Sequence, residues 1–154
     1  MDMTIYDFRL LAPEKQALWL AKMKKTDWDA GKYLCWMLEE NMLEERCGKS
    51  TAFILTEGDE LASFCTLADF DEIDEPGMKP WIGFVYTFEK FRGRRCAGKL
   101  IEHAVSRVRE AGCTKIYVSS EEKGLYEKYG FTFVKNARSV HGYDTGIFVR
   151  EIAK

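Results

Sequence analysis

Residues Trp81–Ala111, WIGFVYTFEKFRGRRCAGKLIEHAVSRVREA, leave few folds open to this chain. Trp81–Thr87 is strongly β-prone and reads as a central strand. A short loop dense in Arg and Gly follows. Ala97, Leu100, Ile101, Ala104, Val105 and Val108 then recur at the spacing of one helix face, and Gly112 stops the helix. Lys115–Ser119 (KIYVS) is a strand after a very short return. Strand, helix and strand so closely joined form a βαβ unit, with parallel strands and a right-handed crossover. The Arg-rich loop therefore sits at a helix start, where the first-turn N–H groups lack partners and the dipole favours negative charge. Arg92, Arg94, Arg95 and Lys99 add positive side chains there, and Gly93 and Gly98 let a ligand approach the backbone closely. The whole chain carries a formal net charge of −2, so this cationic cluster is local. A phosphate-bearing ligand is the first candidate. The loop contains neither GxxxxGK[ST] nor GxGxxG.

The remaining chain reads as one α/β domain over residues 1–154. Residues 4–9 (TIYDFR) alternate as a first strand. Pro13 opens a helix over about 13–25, and Asp27 or Asp29 caps a second over about 29–46, ended by Gly48. Thr51–Thr56 and Glu60–Ala68 flank Glu57-Gly58-Asp59 as a hairpin. Asp69–Glu75, closed by Pro76-Gly77, is an acidic loop. A short helix over about 122–129 ends at Gly130, and Phe131–Val134 and Gly146–Ile152 are final strands, paired antiparallel. The slight acidity and a pI near 5.8 argue against general nucleic-acid binding. No apolar run is long enough for a membrane span, and the N-terminus lacks secretory character, so the cytoplasm is the expected location. Five cysteines at wide spacings form no CxxC and read as free thiols, and the two histidines have no metal-site spacing.

Arg92-Gly93-Arg94-Arg95-Cys96-Ala97-Gly98-Lys99 resembles the acetyl-CoA loop of the GNAT superfamily of N-acetyltransferases, whose pattern is [Q/R]-x-x-G-x-[G/A]. Arg92 fills the first position and Ala97 the last, while Arg95 stands where the pattern has glycine. Leu125–Phe131 (LYEKYGF) is similar to the superfamily's downstream FYEKLGF segment. The close match spans about 81–131, and residues 1–80 match in element order only. The resemblance implies a mixed sheet of six or seven strands with helices on both faces. It implies that the backbone of Arg92–Gly98 holds the CoA pyrophosphate, that Thr87 meets the pantetheine arm, and that the Val85 N–H holds the acetyl carbonyl oxygen. Tyr126 is then the general acid to the departing thiolate. Ser119 is either a cofactor contact or a cap on the next helix.

An amine acceptor arrives as an ammonium and must lose a proton before it attacks. Relatives often carry a Glu where this chain has Trp81, and no acid occupies Trp81–Thr87. Asp69, Asp71, Glu72, Asp74, Glu121 and Glu122 remain as candidates for the base, or as a group that attracts a cationic substrate. Cys96 is expected to have a lowered pKa at the helix start and to be a bystander. Trp28, Tyr33 and Trp36 are expected in the core of the early helices, and His141 and Tyr143 either line the acceptor pocket or pack. The function expected is acetyl transfer from acetyl-CoA to a primary amine on a small molecule or peptide, by direct attack in a ternary complex without a metal. A non-catalytic CoA-binding sensor or interaction module of the same fold is the alternative. A homodimer built on the C-terminal strands also stands open.

Overall fold

The computed structural model describes residues 2–153. Its strands are β1 (Met3–Asp7), β2 (Ser50–Glu57), β3 (Glu60–Ala68), β4 (Trp81–Thr87), β5 (Lys115–Ser120), β6 (Thr132–Arg138) and β7 (Asp144–Glu151). They form a single sheet in the order β1-β2-β3-β4-β5-β7-β6. All neighbours are antiparallel except β4 and β5, the parallel pair of the expected βαβ unit. The helices are α1 (Pro13–Met23), α2 (Asp29–Glu39), α3 (Leu43–Cys47) and α4 (Cys96–Glu110).

Both faces of the sheet centre are covered, so β2 is an almost uninterrupted buried run rather than an alternating one. Phe53 and Leu55 face the α4 side, with Cys65, Ile82, Ile116 and Val118. Ala52, Ile54 and Phe64 face the side of α1–α3. On α4, Leu100, Ile101, Ala104, Val105 and Val108 are buried, as their spacing requires. Burial of each large apolar side chain contributes about 1.5–3 kcal/mol, which fixes the helix, and hence its N-terminus, firmly on the sheet.

Two expectations about the helices fail, and one about the core. The helix expected over 29–46 is two helices, because Asn41 turns to φ 56° between α2 and α3. Leu34, Cys35 and Met37 supply the buried face of α2, whereas Tyr33 and Trp36 are about 40% exposed. These two rings stack on each other at 5.9 Å under Arg46 instead of entering the core. The helix expected over 122–129 is only a 3-10 turn, Glu127–Tyr129. Gly124 (φ 85°) and Gly130 (φ 89°) bracket the segment in left-handed conformations that a right-handed helix cannot continue through.

The feature that shapes the site is the divergence of β4 from β5. The two strands pair only at Trp81↔Tyr117 and Ile82↔Val118, although both continue beyond. The cause lies on the opposite edge of β4. Thr66 pairs with Gly83 and Phe64 with Tyr86, so Phe84 and Val85 together oppose Cys65. This bulge puts Phe84 at φ 50° and adds local twist, which turns β4 away from β5.

Candidate active site

A cleft of about 510 Å³ lies between the end of β4 and the start of α4. Thr87, Arg92, Gly93, Arg95, Cys96 and Ala97 line it, all residues singled out in the sequence. Lys128 and Tyr129 line it as well. These last two were missed, although both lie within the LYEKYGF match that marked Tyr126. No side chain caps α4, and its first turn carries no acid. The earliest N–H bonded back along the helix is that of Lys99, to the Arg95 carbonyl at 3.1 Å. The N–H groups of the first turn are therefore left for a ligand, with the positive end of the dipole behind them.

Arg95 adopts φ 60°, ψ 29°, the left-handed conformation that explains why the pattern has glycine here. The strain of a non-glycine residue in that region is roughly 1 kcal/mol. Arg95→Gly should therefore raise the unfolding free energy by up to that amount, and a lowered value would mean that contacts of the guanidinium outweigh the strain. Arg92 is oriented by its Nε, which donates to the Thr87 carbonyl at 3.0 Å, and by its seat over the Tyr86 ring. Arg94 turns away, donating to Glu57 at 2.5 Å and lying over Phe91, and Lys99 reaches toward the Met3 sulfur. These two cations are thus outside the cleft lining. Gly98 serves packing: a Cβ there would stand 3.0 Å from the Tyr129 ring.

Cys96 corrects the expectation of a lowered pKa. Its thiol is buried, and burial pushes the pKa up against the opposing charges of Lys99 and Arg94. The thiol donates to the Phe91 carbonyl at 3.6 Å. Among the described residues, all five cysteines are free.

Val85 packs toward the α4 core from the strand that has left β5. Tyr126 is 8% exposed, edge-on to Phe131 at 5.9 Å and to Tyr129 at 6.5 Å, and through Tyr129 it adjoins the cleft wall. Burial first, and then the nearby Cys65 and Asp71, push its phenol above the ordinary tyrosine value, so it stays protonated at neutral pH. Ser119 caps no helix. Its hydroxyl faces Glu72 Oε1 at 2.8 Å and Asp71 Oδ2 at 3.4 Å.

The acidic loop is tied to the sheet rather than free in solvent. Ile73 inserts beside Trp81, Tyr117 and Ile147. Val140 N–H donates to the Glu72 carbonyl at 2.8 Å, Lys135 pairs with Glu75 at 2.8 Å, and Tyr143 donates to the Glu72 carboxylate. His141 stacks on Tyr143 at 6.4 Å. Of the six candidate acids, Asp71 and Glu72 are the two that hydrogen-bond at the parting of β4 and β5.

Residues 9–131 match the family model described as "Acetyltransferase (GNAT) family". The chain belongs to that family. An aminoglycoside 6′-acetyltransferase type Ii is similar in structure at TM-score 0.71 and 17% identity, over 100% of this chain and 99% of that one. An aminoglycoside 6′-N-acetyltransferase solved with coenzyme A gives 0.69 and 16%, over 98% of each chain. A GNAT family acetyltransferase from Elizabethkingia anophelis with acetyl-CoA bound gives 0.66 and 16%, over 97% of this chain and 98% of that one. At such identities the likeness is one of fold. A search of curated proteins by sequence finds no match. Within the described residues of this GNAT chain, no helix is long and apolar enough to cross a membrane, and no group of three His, Cys, Asp or Glu is placed to hold a metal.

Proposed function

We propose that this GNAT protein transfers the acetyl group of acetyl-CoA to a primary amine, by direct attack within a ternary complex. The observation that carries the reading is the uncapped start of α4, opening on a cleft beside the parted strands β4 and β5. The first-turn N–H groups, with Arg92 and Arg95 beside them, suit a pyrophosphate. The β4 edge released from β5 offers backbone groups to an extended amide-bearing arm, as an added strand would pair. That arm leads the thioester toward Val85 and Tyr126. The amine nitrogen bonds to the acetyl carbon, and the Val85 N–H stabilises the carbonyl oxygen as it gains charge. As the C–S bond breaks, the sulfur leaves with the electron pair and takes the phenolic proton of Tyr126, and the proton that the nitrogen gives up on becoming an amide returns the phenoxide to a phenol. Burial keeps the phenol protonated at neutral pH, so the proton is there to be given. The relatives solved with coenzyme A or acetyl-CoA support the choice of donor.

The test supplies acetyl-CoA with polyamines, amino acids, aminoglycosides and peptides, and assays free thiol. Acceptor-dependent thiol release is the expected result. CoA binding without thiol release on any acceptor would instead make the protein a sensor. Arg95→Glu should raise the KM for acetyl-CoA roughly ten- to a hundredfold, the worth of one lost charge-assisted contact, with kcat little changed. An unaltered KM would mean that Arg95 faces solvent in the complex.

A further inference from the structure

We propose that Asp71 is the group that takes the proton from the acceptor amine, from a seat over Gly83 where β4 leaves β5. The proposal rests on the acetyl-transfer reading above. An alkylamine with a pKa near 10 is an ammonium at neutral pH and has no lone pair for attack until a base removes a proton. No residue of β4 itself is an acid. The loop between β3 and β4 supplies one instead. A Cβ built on Gly83 would stand 3.1 Å from Asp71 Cγ and in collision with Asp71 Oδ1, so the carboxyl group fills the space that a β4 side chain would occupy. Thr66 Oγ1 closes the same space at 3.1 Å. Gly83 is thus an obligatory absence, through which a loop carboxylate reaches the sheet.

The surroundings suit a base for a cationic substrate. The adjacent Phe84 lies against Trp28 and Tyr33 at 6.3 and 6.5 Å, so the next residue along β4 presents rings from the α2 side, surfaces that favour an approaching ammonium. Several groups face the carboxyl. Glu72 lies beside it on the loop, and its carboxylate also draws the Ser119 hydroxyl and the Tyr143 phenol. Ser119 on β5 has a single proton to give and sits nearer Glu72 than Asp71. His141 in the turn between β6 and β7, the Tyr126 phenol and the Cys47 thiol lie within range of its charge. Burial, the largest influence, pushes the Asp71 pKa up to about 6; the Glu72 N–H, Ser119 and His141 oppose the rise, and the Glu72 charge adds to it. A base with that value is mostly ionised at pH 7 yet basic enough to accept a proton. Activity limited by this group rises with pH through about 6, because the protonated form below that pH has no pair to offer.

The experiment uses the full chain and the acceptor found by thiol release. Asp71→Asn should lower kcat/KM by roughly a hundred- to ten-thousandfold, the range for a lost base. It should also abolish the acidic limb of the wild-type pH profile while leaving the thermal shift with CoA in place. Gly83→Ala, which retains the carboxyl but evicts it from its seat, should show a comparable loss and a displaced limb, and it stands in if Asp71→Asn folds poorly. Full activity in either variant, or an acidic limb that survives in Asp71→Asn, would overturn the assignment. Absence of thiol release by the wild type on every acceptor would overturn the acetyl-transfer reading itself, and the role of Asp71 with it.

Discussion

Tyr126→Phe should lower kcat by roughly a hundred- to ten-thousandfold, the contribution expected of a positioned acid, with CoA binding unchanged. The substitution removes one oxygen and keeps the ring, so the edge contacts with Phe131 and Tyr129 persist and the cleft wall stays in place. The loss should therefore fall on thiolate departure rather than on the fold. Because the phenol is held above the ordinary tyrosine value, it remains protonated across the neutral range. No alkaline limb between pH 7 and 9 should accordingly trace to Tyr126. Steady-state rates with free-thiol detection, beside a thermal shift with CoA, separate the two quantities. A fully active Tyr126→Phe would remove the phenol from the reaction.

Trp81→Ala should cost about 3–5 kcal/mol of stability, the range for a deleted buried aromatic. Trp81 is 1% exposed, its indole N–H donates to the Met78 carbonyl at 2.6 Å, and its ring packs on Tyr117 at 5.4 Å. It stands at the last paired rungs between β4 and β5, and Ile73 of the acidic loop leans on the same cluster. Its removal opens a cavity, strands a carbonyl and loosens the seat of the loop that carries Asp71. For a domain stable by about 5–15 kcal/mol, that is a large fraction. Urea unfolding with an unchanged m-value is the measurement. Trp81→Phe, which keeps a ring and loses the N–H, should fall between. A cost below about 1 kcal/mol would mean that the cluster collapses into the vacated space, as well-relaxing cores do.

Much of this site can be read along the chain, and the reasons are local. The spacing of Leu100, Ile101, Ala104, Val105 and Val108 sets the buried face of α4, and the glycines and arginines before Cys96 mark its start as an anion site. Turn chemistry placed the β2–β3 hairpin at Gly58-Asp59. Reading failed where a local preference met an opposing tertiary contact or an unfavourable backbone. Tyr33 and Trp36 share a helix with Leu34 and Met37, and apolar character alone did not tell which pair the sheet would cover. Tyr126 lies on the expected segment, but Gly124 and Gly130 leave only a turn there. Cys96 has cations near it, yet burial outweighs them.

The near and far reaches of the chain therefore divide the site between them. Strand, loop and helix from Trp81 to Ala111, and with them the anion site, follow from periodicity and from orphan N–H groups within one continuous stretch. The bulge at Phe84 and Val85, the early parting of β4 from β5 and the meeting of Asp71, Gly83 and Ser119 follow from strand register and from packing between distant segments. Register depends on which residues oppose one another across strands, and a side chain missing from one strand is replaced by a group from elsewhere only when the fold brings both to one point. The proposed phosphate end of the site is thus a property of sequence neighbours, and the proposed proton-accepting end a property of neighbours in space.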